Sequence, residues 1–269
     1  MNLENVTIPI EPRSVGGCLD LAVQFQRTHA RQLLGLTALL GVPGLALTYY
    51  LATLTNHGLL WGLTIFFFLA PIVGSWIAVG AGHRVFGEAF TVRSSLRAFW
   101  PQAARLTVLL WWYRVASLVA SVGIVTGFLV AARGGNLAEA VLLEQLEGDR
   151  LRRRLGELNR GIQTSPVLAL VTIWAYTLCG IIALFLLSHF VSAYLLEIPL
   201  WVHPGDGIAG ALDRLWYDPV TVTLIAALFW GLYPVARLAW FFCYLDQRIR
   251  NECWDVELDC RREARRMSL

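Results

Sequence analysis

Four ionisable residues stand where ionisable residues are rare: Arg114, His189 and Arg237 lie inside long apolar runs, and Glu197 follows directly after one of them. A charge at membrane depth is costly and by default suggests a site. At about 1.5 Å of rise per residue, Arg114 lies roughly 13 Å from the start of its run and His189 roughly 12 Å from the end of its own. If the two runs are antiparallel helices, those ends face one side and the two residues share a depth, with Glu197 nearer the surface. Such a cluster could bind an anionic substrate or a lipid headgroup; structural pairing and snorkelling are the competing outcomes. Arg237, three residues after Pro234 and near the opposite surface, is expected to snorkel.

Other chemistry is thin. Gly82-His83-Arg84 with Glu88 offers a histidine and a carboxylate, but the trio follows an apolar run instead of a strand, and a positively charged span end explains it. The five cysteines (Cys18, Cys179, Cys243, Cys253, Cys260) form no CxxC pair and have no His-rich partner segment, so they read as small apolar filler, and no metal or cofactor is expected. No nucleophile, base and electrophile converge, which points away from an enzyme. A net charge of +3, carried by 22 arginines and no lysine, is too small and scattered for a nucleic-acid surface.

The elements that position these residues follow from composition. Of 269 residues 57% are hydrophobic and only 15% charged, far from the quarter or so charged in a soluble domain. Taking about 20 apolar residues as one crossing, five runs qualify: Leu33–Leu54, Leu59–Ala81, Leu106–Ala132, Val167–Leu196 and Val220–Leu245. The first two are separated only by Thr55-Asn56-His57-Gly58 and form a tight hairpin. The first 17 residues are polar and acidic, unlike a secretory signal, so the first span is expected to stay in the membrane.

Three further segments repeat apolar residues at helical spacing, as helices lying in a membrane interface do. Val15, Cys18, Leu19, Ala22 and Phe25 share one face; so do Val92, Leu96, Phe99, Trp100 and Ala103; so do Ile208, Ala211, Leu212, Leu215 and Trp216. Because TVRSSLRAFW and GIAGALDRLW align without gaps, the spacing suggests a repeated unit of one interfacial helix and two spans, the last unit truncated, with all three interfacial helices on one face. Residues 133–164 interrupt it as an extramembrane amphipathic helical insertion, read as a cap on the spans or a docking surface. Residues 246–269 form a charged helical tail. The whole of 1–269 is thus one all-α integral membrane domain of about five transmembrane helices plus three interfacial amphipathic helices.

Directly after the last run stand Tyr244, Asp246, Arg248, Arg250, Glu252, Trp254, Asp255 and Glu257 in YLDQRIRNECWDVEL, and near the start stands EPRSVGGCLDLAVQFQRTHARQLLGL. Both resemble the glycerophosphoryl diester phosphodiesterase membrane-domain family, which has a Ser-Val-Gly interfacial helix before its first span and a charged signature after its last. The resemblance implies the membrane part alone, because no barrel segment accompanies it, and it implies a cytoplasmic tail. The family's usual six spans exceed the five read here. Asp246, Arg248 and Arg250 read either as part of a solvated helix or as a clasp packed back on neighbouring helices.

The function expected is that of a multi-pass protein of a bacterial inner membrane without enzymatic activity, binding or scaffolding in an assembly with the lipid bilayer and another membrane protein or itself. A small transporter or lipid-handling protein is the alternative, and a water-accessible cavity around the Arg114 and His189 pair would favour it, whereas a dry, filled bundle would favour scaffolding. Five spans place more arginines opposite the interfacial helices than beside them, against the usual cytoplasmic N-terminus.

Overall fold

Apolar residues dominate both the interior and much of the outside of this bundle. The computed structural model describes residues 12–158, 166–195, 197, 201 and 207–252. In chain order its helices are α1 (Val15–Thr28), α2 (Ala30–Leu54), α3 (Gly58–Val85), α4 (Val92–Phe99), α5 (Ala103–Ala120), α6 (Ile124–Gly135), α7 (Leu137–Leu142), α8 (Gly148–Leu158), α9 (Pro166–Leu195), α10 (Ile208–Tyr217) and α11 (Pro219–Glu252). Among the described residues there is no strand. Four of the helices, α2, α3, α9 and α11, are long and apolar enough to cross a membrane.

α2 and α3 form the tight hairpin the sequence implied, and α11 packs along both. Trp230 of α11 packs its ring against Gly41 and Gly44 of α2, where a Cβ would stand at ordinary contact distance, 3.4–3.6 Å. Proline interrupts α2 at Pro43, α3 at Pro71 and α11 at Pro234 without ending any helix. Ser75 Oγ donates to Pro71 O at 2.9 Å, one of several hydroxyls turned back on their own helix.

The third expected span, Leu106–Ala132, is not one helix. It is folded in two by a turn at Ser121–Gly123, making α5 and α6 an antiparallel pair. A Cβ on Gly127 would stand 2.8 Å from Ser121 Cα, so the two limbs close only because that residue is glycine. The turn's carbonyls are served locally: Ser121 Oγ donates to Leu118 O at 2.6 Å, and Thr126 Oγ1 lies 2.6 Å from Ala120 O. An apolar run with satisfied carbonyls at its midpoint has no need to continue straight.

This fold-back changes the polarity of everything after it. With four long helices instead of five, the chain returns to the end where it began: Arg13 N–H donates to Asp246 Oδ1 at 2.6 Å. α1, α4, α7 and α8 gather at that end, hereafter the terminal face. α10 does not join them. Its Trp216 carbonyl lies near Gly58 at the α2–α3 turn, and Trp201 Nε1 donates to Ala211 O at 2.7 Å, so it sits at the opposite end. The gapless alignment of α4 with α10 is therefore not a repeat sharing one face. In α1 the buried residues are Cys18, Leu19, Ala22 and Phe25. In α4, Val92, Leu96 and Phe99 pack inward while Arg93 and Arg97 are exposed, but Trp100, in the 3-10 turn that Pro101 enforces, stands 80% exposed. In α10, Ala211 faces inward and Leu212 and Trp216 are both half exposed.

Candidate functional site

Arg114 and His189 do not meet. Because α6 returns to the terminal face, α9 starts there and runs parallel to α5. Arg114, eleven residues into α5, therefore neighbours Leu170, Ile173, Trp174 and Thr177 in the first half of α9. His189 lies far up the same helix, where Trp201 N–H points at its Nδ1 over 3.4 Å and their rings meet edge to face at 6.1 Å. Glu197 is exposed, with φ 58°. Neither belongs to a site with Arg114.

What Arg114 does face is a cavity of about 160 Å³ between the α5–α6 pair and helices α3, α9 and α11, large enough for a benzene-sized guest. Arg237 reaches the same cavity from α11, together with Tyr113, Ser117, Tyr233 and Trp240. Arg237 does not snorkel. Its Nη2 lies 2.6 Å from Glu139 Oε1 in α7, a carboxylate with no exposed surface, and its Nε donates to Gly74 O at 3.1 Å. The approach of Arg237 to Glu139 is electrostatic: neither carboxylate oxygen is in hydrogen-bonding alignment with a donor.

Arg114 has no such counter-ion among the described residues. Its guanidinium lies 5.4 Å from the centre of the Phe67 ring, a cation–π contact that leaves its donors free of any carboxylate. Trp240 adds a second unserved donor, since its indole N–H is buried and meets no acceptor. Gly134 and Gly135 make the wall: a Cβ on Gly135 would stand 2.3 Å from the Trp240 ring, and one on Gly134 would stand 2.8 Å from Tyr113. Two guanidiniums, one carboxylate and a spare indole N–H leave the cavity with an excess of positive charge and donors, which suits an oxyanion.

The C-terminal motif serves another purpose. Tyr244 Oη donates to Glu144 Oε1 at 2.5 Å; Glu144 also receives Arg154 Nε at 2.8 Å and lies 3.6 Å from Arg248 Nη1. Asp246, besides holding Arg13 N–H, accepts from Arg250 Nε at 2.9 Å, and Arg250 Nη2 donates to Arg13 O at 2.9 Å. Asn136 Nδ2 donates to Gln247 Oε1 at 3.2 Å. The motif is a clasp that ties the end of α11 to the start of α1 and to the α7–α8 connection. Glu252 closes α11, while Trp254, Asp255 and Glu257 lie outside the described residues. His83 Nδ1 lies 2.8 Å from Glu88 Oε2 at the surface, beside the turn at Gly87.

Glu139 and Glu144, the two carboxylates that organise these networks, escaped the sequence reading because both sit in the insertion, which resembles a solvated amphipathic helix. In fact Leu137–Val141 is buried in full, and in α8 Leu151 and Leu155 are buried while Arg152 and Arg153 are exposed. The available signal was local: Glu139 is the lone charge in Leu137–Leu143. Among the described residues no group of three or more His, Cys, Asp or Glu could hold a metal ion. No family model, no curated protein and no solved structure matches the chain, so no residue role is carried over from a relative.

Proposed function

We propose that this chain is a multi-pass protein of a bacterial inner membrane that binds an anionic, membrane-borne ligand in the Arg114 cavity, a lipid-handling or transport role without enzymatic chemistry. The observation that carries it is Arg114, a cation facing a cavity among long apolar helices with no carboxylate opposite. Membrane embedding is supported by the outward sides of α2 and α9, where Leu34, Val42, Leu187 and Phe190 are more than half exposed. Of the arginines in the described residues, all but Arg114, Arg214 and Arg237 lie in or beside α1, α4 and α8 or at the ends of α2, α3, α5, α6 and α11 that meet the terminal face, and the positive-inside rule then favours a cytoplasmic terminal face. The terminal motifs support membership of the glycerophosphoryl diester phosphodiesterase membrane-domain family, with the clasp as the reason for its C-terminal signature. Scaffolding is the weaker reading, because a bundle that only holds partners has no use for a cavity with an unneutralised cation.

The test is titration of a short-chain phosphatidic acid into the detergent-solubilised full chain, followed by calorimetry. Losing one charge-assisted contact costs about 1.5–3 kcal/mol, so Arg114→Gln should weaken binding about tenfold or more. Equal affinity of Arg114→Gln and the wild type would remove the cavity from the function.

A further inference from the structure

The inner cavity has a neighbour. A second space of about 550 Å³ lies against it on the terminal side, and Tyr113 of α5 and Val130 of α6 line both. Its remaining walls divide by chemistry. Leu129, Pro166 and Val167 make an apolar seam between α6 and α9, while Arg133 at the end of α6 and Arg152 of α8 stand at the outer rim. Both arginines are exposed, and neither has a carboxylate partner among the described residues. Elsewhere on α8 the pattern differs: Arg154 is committed to Glu144 and lies 3.6 Å from Glu157.

The opposite end of the inner cavity is walled by aromatic rings. Phe66 packs at 5.3 Å on Phe229, 5.1 Å on Trp230 and 5.4 Å on Tyr233, and Tyr233 Oη is fixed by donating to Ala70 O at 2.6 Å. The two cavities adjoin at Tyr113 and Val130, and the second lies on the side of the terminal face. Two exposed guanidiniums lining one cavity with an apolar seam match one ligand chemistry: a phosphate group, held by forked donors, on a molecule whose remainder is apolar.

We propose that Arg133 and Arg152 form a phosphate-capturing vestibule through which the ligand reaches the Arg114 cavity from the terminal face. This rests on the functional reading given for the inner cavity and adds the ligand's charged group, its route and the residues that meet it first. Rim charges act mainly on association, whereas a charge buried beside the bound ligand acts mainly on dissociation, so the two arginine sets have separable kinetic signatures.

The experiment is surface plasmon resonance on the immobilised full chain, with short-chain phosphatidic acid and, separately, inorganic phosphate as analytes. Arg133→Gln/Arg152→Gln should slow association of the lipid about tenfold with little change in dissociation, and Arg114→Gln should speed dissociation. Because both rim side chains are exposed, the double variant should melt with the wild type, which keeps misfolding from mimicking the effect. Tight binding of the lipid alone would identify a lipid phosphate; equal binding of inorganic phosphate would identify free phosphate as the species captured. Wild-type association in the double variant would overturn the vestibule while leaving the inner cavity standing. Slowed association in that variant with unchanged dissociation in Arg114→Gln would keep the vestibule and remove the inner site. No binding of either analyte to the wild type would remove both.

Discussion

Replacing Asp246 by Ala probes the clasp at its most loaded point. Its carboxylate is 4% exposed and accepts two hydrogen bonds, from Arg13 N–H at 2.6 Å and Arg250 Nε at 2.9 Å. Hydrogen bonds to a charged group contribute about 1.5–3 kcal/mol each. The Arg250 side chain is 29% exposed, so solvent screens its share and the lower end applies. Together the two give a loss of about 3 kcal/mol, and at about 2–4 °C per kcal/mol the melting temperature of the detergent-solubilised protein should fall by about 6–12 °C. Asp246→Asn, which can still accept from Arg13, should lose about half as much. The control is Arg93→Ala/Arg97→Ala on the exposed side of α4, expected within about 0.5 kcal/mol of the wild type. If Asp246→Ala melts no lower than that control, the motif is not a clasp and its charges must serve something outside the chain.

Three further outcomes follow from the same packing. Tyr244→Phe removes one hydrogen bond to the Glu144 carboxylate and should cost about 1.5–3 kcal/mol, whereas Glu144→Ala takes the carboxylate from both Arg154 and Arg248 and should cost about 3–5 kcal/mol; thermal melts giving the reverse order would refute the network. Glu139→Gln should destabilise by about 3–5 kcal/mol through the buried Arg237, and adding Arg237→Met should recover most of that loss, which denaturation of the single and double variants would read. Gly135→Ala, whose new methyl would meet the Trp240 ring at 2.3 Å, should cost about 1–3 kcal/mol, while Gly231→Ala in α11, with nothing within 4 Å, should be neutral or stabilising by up to about 1 kcal/mol. Matching melting shifts for the two glycines would contradict the packing of α6 on α11.

The long uncharged runs around Thr55–Gly58 read directly as α2 and α3, because length and the absence of charge are one-dimensional signals. The fold-back of α5 on α6 was harder to see. Ser121, Gly123, Gly127 and Thr126 carry it, yet in an apolar run small residues are equally compatible with a straight span, and only the approach of Gly127 to Ser121 distinguishes the two. That one turn decides the rest of the topology: the direction of α9, the separation of Arg114 from His189, the distance of α10 from α4 and the side on which the arginines gather. Arg114 was legible as a candidate site residue from its isolation in a run. Its neighbours are not, since Glu139 reads as one acid among many, and Arg237, three residues after Pro234, reads as close enough to a surface to reach it.

The most direct measurement is the accessibility of Ser117, which lines the inner cavity beside Arg114. In a chain whose five native cysteines are replaced, Ser117→Cys should react with a charged, membrane-impermeant thiol reagent in vesicles exposing the terminal face, and not in vesicles of opposite orientation. Val122→Cys, at the 93% exposed tip of the α5–α6 turn, should stay unreactive in both if that tip lies in lipid. Reaction of Ser117→Cys under short-chain phosphatidic acid should be slowed. A Ser117→Cys that is inert from both sides, or reactive only from the face carrying α10, would contradict a ligand cavity open to the terminal face.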